Sequence, residues 1–220
     1  FMMGYVGGGD TIVGSLHPFS DADFAGDAAS MKSTTGGFLC ISGARTCFPI
    51  SAVSKKQTCV SHSTPEAELV AADHCLRTEA MPVLSLVEAV IGRPLRLDFM
   101  EDSEATIRIL ATGRTPALRH MGRTHKVSLA WLYEQFSRDA VRLIYCPSEQ
   151  QSADIFTKAF DTVETWEAVL PLILQFRAQN GKERIGKAWA PRAPITPRLK
   201  NAKGKVKEKD KDEEQDVGEN

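Results

Sequence analysis

The chain has 220 residues, 42% of them hydrophobic, enough for one ordinary globular domain with its own core. Its formal net charge of −1 creates no overall basic field, so a nucleic-acid partner would have to be met by a local patch. No apolar run approaches the ~18 residues of a membrane span, no signal peptide is evident, and the cysteines argue against a disulfide framework or a structural zinc site. Those cysteines, Cys40, Cys47, Cys59, Cys75 and Cys146, are odd in number and form no C-x-x-C pair, which suits reduced thiols in an intracellular setting.

Residues 1–15 are rich in glycine and read as the remnant of a preceding domain. From Leu16 to about Phe176 strand-like and helix-like segments alternate, and we place the main domain at 16–160. Phe19-Ser20-Asp21-Ala22-Asp23-Phe24 suits a strand. Gly37–Ile41 and Arg45–Phe48 flank Ser42-Gly43-Ala44, a hairpin signal. Ser63-Thr64-Pro65-Glu66 reads as a capping box that opens a long helix, interrupted at Pro82 and ending near Gly92. Leu95–Phe99 alternates as a strand should, and Asp102 to Leu110 looks helical, closing at Gly113. A helix from about Lys126 to Phe136, a strand from Ala140 to Tyr145 and a helix from Ser148 through Asp154 follow. A further helix, near Glu164 to Phe176, occupies an added segment at 161–178. The order suits an α/β layer architecture with a mixed sheet. Residues 179–220 are proline-broken and then almost wholly polar, too poor in apolar surface to offset their ordering entropy, and are expected to be disordered.

Four acids stand at strand ends or on inward helix faces. Asp21 shares a strand face with Phe19, and so does Asp23; the pattern does not choose between them. Glu66 and Glu68 point nearly opposite ways on one helix, about 200° apart. Glu66 has the capping box to serve, whereas Glu68 heads a small-residue stripe of Ala71, Ala72 and Cys75 suited to packing on a sheet, so chemistry falls to Glu68. Asp102 is either the N-cap of its helix or a site residue. Asp154 is either solvated surface or a site residue. Gathered together, such carboxylates would repel one another unless divalent cations lay between them, and hard oxygen ligands favour Mg²⁺ or Mn²⁺.

Ser20-Asp21-Ala22-Asp23-Phe24-Ala25-Gly26-Asp27, Lys32-Ser33-Thr34-Thr35-Gly36, Ser54-Lys55-Lys56-Gln57, Ser63-Thr64-Pro65-Glu66-Ala67-Glu68 and Ala153-Asp154-Ile155-Phe156-Thr157-Lys158 occur in that order. Together they resemble the ribonuclease H region that ends a copia-type retrotransposon Pol polyprotein, over roughly Gly14 to Phe160. The resemblance implies a ribonuclease H-like fold, a five-stranded mixed sheet flanked by helices. It places the family's Asp–Glu–Asp–Asp set on Asp21, Glu68, Asp102 and Asp154, with Asp21 bridging two Mg²⁺ ions, Glu68 and Asp102 holding one and Asp154 the other. It also implies a metal-dependent endonuclease that hydrolyses the RNA strand of an RNA–DNA hybrid, leaving a 3′-hydroxyl and a 5′-phosphate.

The implied partners are the hybrid and the reverse transcriptase domain of the same polyprotein, with no membrane and no small-molecule cofactor. The implied setting is intracellular, in a cytoplasmic virus-like particle or the nucleus. Lys32, Lys55, Lys56, Arg119, Arg123 and Lys126 are the candidates for holding phosphates. The chain departs from the family's pattern at Ala52, at Ser103-Glu104, at His125-Lys126-Val127-Ser128, and at Pro18, which removes an amide donor from an inner strand. Two other readings use the same residues: an inactive or repurposed module that at most binds nucleic acid, and an integrase- or resolvase-like nuclease of the same superfold.

Overall fold

A computed structural model of the chain describes residues 14–43 and 46–175, together with Met2, Gly4 and Tyr5. Most of the glycine-rich start, the end of the helix expected to reach Phe176, and the tail at 179–220 lie outside the described residues.

The fold is a five-stranded mixed sheet with helices, the class expected from the sequence. Strands β1 (Ser15–Asp27), β2 (Lys32–Ser42) and β3 (Cys47–Lys56) form an antiparallel meander. Strands β4 (Arg96–Glu101) and β5 (Val141–Tyr145) add in parallel on the other side of β1, giving the order β3-β2-β1-β4-β5. The β2–β3 hairpin is closed by the Gly43 amide, which donates to the Thr46 carbonyl at 2.8 Å. At the edge, Tyr5 exchanges both backbone hydrogen bonds with Cys47, at 2.9 and 3.0 Å. Pro18 does lie in the central strand. Its pairing to β2 runs on through Pro18↔Leu39, but the ladder to β4 skips from Leu16↔Leu97 to Phe19↔Met100, and the gap spans the proline that has no N–H to give.

The long helix is one column in three parts: α1 (Thr64–His74), a π-helical turn at Cys75–Ala80, and α2 (Met81–Ile91). Pro82 does not interrupt it. The wider turn lies where the proline would have returned its missing bond, so the column continues. Gly92, at a φ of 71°, ends it in the left-handed conformation. Helix α3 (Glu104–Thr112) starts later than expected, because Ser103 is its N-cap and accepts from the Thr106 amide. After α4 (Met121–Thr124), Lys126 adopts a φ of 62° and cannot begin a helix; α5 (Leu129–Phe136) begins past its own cap, Ser128. The segment from Ser148 through Asp154 is not α-helical but two 3₁₀ turns, Ser148–Gln150 and Asp154–Phe156. Helix α6 (Val163–Val169) passes into a 3₁₀ turn, Leu170–Ile173, that stops at Leu174 with a φ of 60°.

The sheet separates two cores. On one face Leu16, Leu97, Phe99 and Leu39 pack with Leu69, Leu76, Leu110 and Leu132 of the helices. On the other, Phe19, Phe38 and Cys40 pack with Cys146, Ala153, Ile173 and Leu174. All five cysteines are free thiols, four of them buried. Two adjacent glycines let both layers close on β2. A Cβ on Gly36 would come within 2.5 Å of Thr157 Cγ2 and 2.8 Å of the Ala153 carbonyl oxygen, and one on Gly37 within 2.6 Å of Cys75 Sγ. Among the described residues no helix is long and apolar enough to cross a membrane.

An ion cluster built on the buried Asp98 ties β1, β4 and β5 together. Arg142 holds Asp98 through two bonds of 2.7 and 2.9 Å, while Arg96 reaches both Asp98 (3.1 Å) and Ser15 (2.9 Å). Nearby His17 is pushed down to about 4, chiefly by burial, with Asp98 opposing and the two arginines assisting.

Two outcomes follow from this packing. Gly36→Ala forces the 153–157 segment off the sheet, at a cost of about 1–3 kcal/mol in denaturant unfolding; unchanged stability would mean that the segment is free to give. Because His17 binds its proton more readily in the unfolded chain, it withdraws stability as pH falls from 6.5 towards about 4. His17→Gln should therefore lose less melting temperature than the wild type across that interval.

Candidate active site

Asp21 sits midway along the central strand, opposite Gly36, and is only 3% exposed. Asp102 follows the end of β4, beyond the sheet and before the cap of α3. Asp154 opens the second 3₁₀ turn, which Gly36 allows to approach β1. Three elements distant in sequence thus bring one oxygen each from Asp21, Asp102 and Asp154 within 4.8 Å of one another. Glu68 is not one of these three. It lies on α1, which packs over β1, and its carboxylate feels the charges of Glu101, Asp21 and Asp102. Asp23 is outside the group; its carboxylate lies against Gly26. The N-cap role weighed for Asp102 belongs to Ser103.

Each carboxylate of the three has a hydrogen-bonding neighbour. The Thr157 hydroxyl donates to Asp21 Oδ2, Ser148 Oγ donates to Asp102 Oδ2 at 2.8 Å, and Lys158 Nζ donates to Asp154 Oδ2 at 2.6 Å. Two buried oxygens, Glu68 Oε2 and Asp154 Oδ1, have no hydrogen-bond partner among the described residues. Burial and mutual repulsion favour the protonated forms. Glu68 is pushed up to about 10 by desolvation, then by Glu101, Asp21 and Asp102. Asp154 rises to about 6, again first by desolvation, although Lys158 pulls the other way. Asp21 is raised by burial more than Thr157 lowers it. Orphaned, desolvated carboxylate oxygens in an all-oxygen cluster are what a hard divalent cation satisfies.

Sequence reasoning assigned no role to Glu101, Thr157 or Lys158. Glu101 is wholly buried, accepts from Ser20 Oγ at 2.9 Å and from the Ser103 amide at 3.2 Å, and is raised well above the usual range by desolvation. Alternation along β4 from Leu97 and Phe99 could have placed it inward. Thr157 and Lys158 stood in the last quoted motif, but nothing in their spacing announced their partners.

The six basic candidates fall into two groups. Lys32, Lys55 and Lys56 cluster at one end of the β1–β2–β3 meander, through the pairings Asp27↔Lys32, Thr35↔Lys55 and Thr34↔Lys56. Of these, Lys56 is ion-paired with Asp27. Arg119, Arg123 and Lys126 are exposed on the segment around α4.

Glu68→Gln should stabilise the cation-free protein, since glutamine removes a charge that folding must otherwise neutralise or desolvate. Each kcal/mol so recovered raises the melting temperature by ~2–4 °C at this chain size. A melting temperature that falls in EDTA would show that Glu68 is well paired after all.

No family model matches the chain. Over 153 residues it is 29% identical to the Retrovirus-related Pol polyprotein from transposon TNT 1-94 of Nicotiana tabacum, an alignment covering 69% of this chain and 11% of that polyprotein. The chain therefore spans about a tenth of that curated relative, and the likeness to a retrotransposon Pol polyprotein read from the motifs holds there. Among solved structures, the LC11 RNase H1 isolated from compost aligns with a TM-score of 0.46 at 14% identity, over 66% of this chain and 94% of that one. RNase H1 from the halophilic archaeon Halobacterium salinarum aligns at 0.44 and 16% identity, over 66% and 95%.

Proposed function

We propose that this chain is the ribonuclease H region of a copia-type retrotransposon polyprotein, a metal-dependent endonuclease that hydrolyses the RNA strand of RNA–DNA hybrids. One observation carries the reading: oxygens of Asp21, Asp102 and Asp154 lie within 4.8 Å of one another, near enough to the buried Glu68 carboxylate for it to feel the charges of Asp21 and Asp102. Asp21, Glu68, Asp102 and Asp154 would hold Mg²⁺, with Mn²⁺ able to replace it, because every donor is a hard oxygen. Bound divalent ions supply a nucleophilic water and charge stabilisation at the leaving oxygen. Thr157 and Ser148 fix the orientation of the Asp21 and Asp102 carboxylates by donating to them.

The two basic groups would grip phosphates, adding salt-sensitive and sequence-blind affinity. Contacts to 2′-hydroxyls would choose the RNA strand. The hybrid would come from the reverse transcriptase domain of the same polyprotein, inside the cell, in a virus-like particle or the nucleus.

A second reading, a module that binds nucleic acid without cutting it, is favoured by Lys158, whose ammonium already neutralises Asp154 at 2.6 Å. Labelled hybrid and Mg²⁺ separate the two. On the first reading only the RNA strand is cut, EDTA stops the reaction, and Asp21→Asn slows it by more than the ~10–100-fold that loss of an outer-shell partner costs. Binding without cleavage selects the second reading. Cleavage indifferent to Asp21→Asn removes the mechanism, and preference for duplex DNA points to an integrase- or resolvase-like nuclease.

A further inference from the structure

Glu66 lies two residues before Glu68, on nearly the opposite side of α1, and its carboxylate is fully buried among imidazoles. His120 Nε2 stands 3.0 Å and His125 Nε2 2.8 Å from Glu66 Oε1. The His62 amide donates to Oε2 at 3.1 Å, while His62 Nδ1 stops 3.7 Å from that oxygen, beyond hydrogen-bonding reach. The His62 and His120 rings meet edge to face, 5.8 Å apart. One ligand atom each from His62, Glu66 and His120 falls within 4.8 Å of the others. Four-coordinate zinc, with bonds of about 2.0–2.2 Å, sets its ligand atoms roughly 3.3 Å apart; here His120 Nε2 is 3.0 Å from one Glu66 oxygen and His62 Nδ1 3.7 Å from the other, so small side-chain rotations bring the three groups to that spacing.

We propose a second metal site here, distinct in place and chemistry from the carboxylate cluster: His62, Glu66 and His120 bind Zn²⁺, with the fourth position open to water. Two imidazoles and one carboxylate are a borderline donor set that selects zinc over magnesium, the reverse of the all-oxygen cluster. His125, with a side chain only 1% exposed, would donate to the ligating carboxylate and hold its orientation, as outer partners of zinc ligands do. His62 is 74% exposed and gives the ion its way in. The two segments that supply the ligands are already fastened together: Cys59 Sγ donates to the Thr124 carbonyl oxygen at 3.1 Å. The cysteine pattern argued only against thiolate zinc sites, and this one uses no thiolate. The ion would staple the N-terminal turn of α1 to the α4 segment, which carries Arg119 and Arg123.

Co²⁺ uptake in excess Mg²⁺ tests this, using the full chain carrying Asp21→Asn and Asp154→Asn so that the carboxylate cluster is silenced. The expected result is one Co²⁺ per chain with the intense visible bands of a four-coordinate ion, displaced by Zn²⁺. His62→Ala and His120→Ala should each weaken uptake at least tenfold. Because His62 is exposed, its replacement leaves the circular dichroism spectrum unchanged, which separates lost ligation from lost folding. No uptake, or uptake as strong in both histidine variants as in the parent chain, overturns the proposal.

Discussion

Like charges held close together are the constraint around which this molecule is arranged. Two unit charges ~4 Å apart repel by about 4 kcal/mol at the effective dielectric of a protein surface, and burial deepens the cost. The chain gathers Asp21, Asp102 and Asp154 at that range and sets Glu68 and Glu101 beside them. Such an arrangement persists only if the scaffold is held rigid by other means. Leucines and Phe99 between sheet and helices supply part of that, and the Arg142–Asp98–Arg96 cluster across β4 and β5 supplies more. Hydroxyls of Ser20, Ser148 and Thr157 then aim individual oxygens.

Closeness of backbone is the second requirement, and it rests on two hydrogen atoms. Gly36 and Gly37 present no side chain to either face of β2, so the 153–157 segment lies against one face and Cys75 of the helical column against the other. The pair brings Asp154 to the central strand from one side while the column carrying Glu68 seats from the other. Neither approach survives a methyl group without something moving.

Much of this was legible in the residues. Alternation and turn chemistry gave the strands, the hairpin and the capped helix, and the ordered motifs pointed to the sheet topology. Where the reading slipped, local and tertiary forces competed. Asp102 and Ser103 are both good caps, and only the three-dimensional arrangement shows that the serine caps while the aspartate faces the cluster. Lys126 fits a helical pattern but takes a left-handed turn instead. The 148–156 segment has helical composition, yet Gln151 spends its side chain on the Ser20 carbonyl, a bond of 3.0 Å across the sheet, and the backbone settles into short 3₁₀ turns. Glu66 was read as a capping residue, and its amide does meet Ser63. Its imidazole neighbours were invisible because His120 and His125 arrive from more than fifty residues away.

The π-helical turn at Cys75–Ala80 carries a consequence of its own. A wide turn holds one residue more than an ordinary one, so every side chain beyond it is rotated by about 100° relative to the stripe established upstream. Ahead of that turn the column buries Leu69 and Ala72; past it, Val83, Leu84 and Val87 lean on the core while Leu86 and Val90 face outward. Excising one residue there would swing the second half of the column by that angle, carrying Leu86 and Val90 away from their present heading and Val83 and Leu84 off the core. The surplus residue therefore acts as a phase correction, and the register of everything between Met81 and Ile91 is set by a single irregular turn.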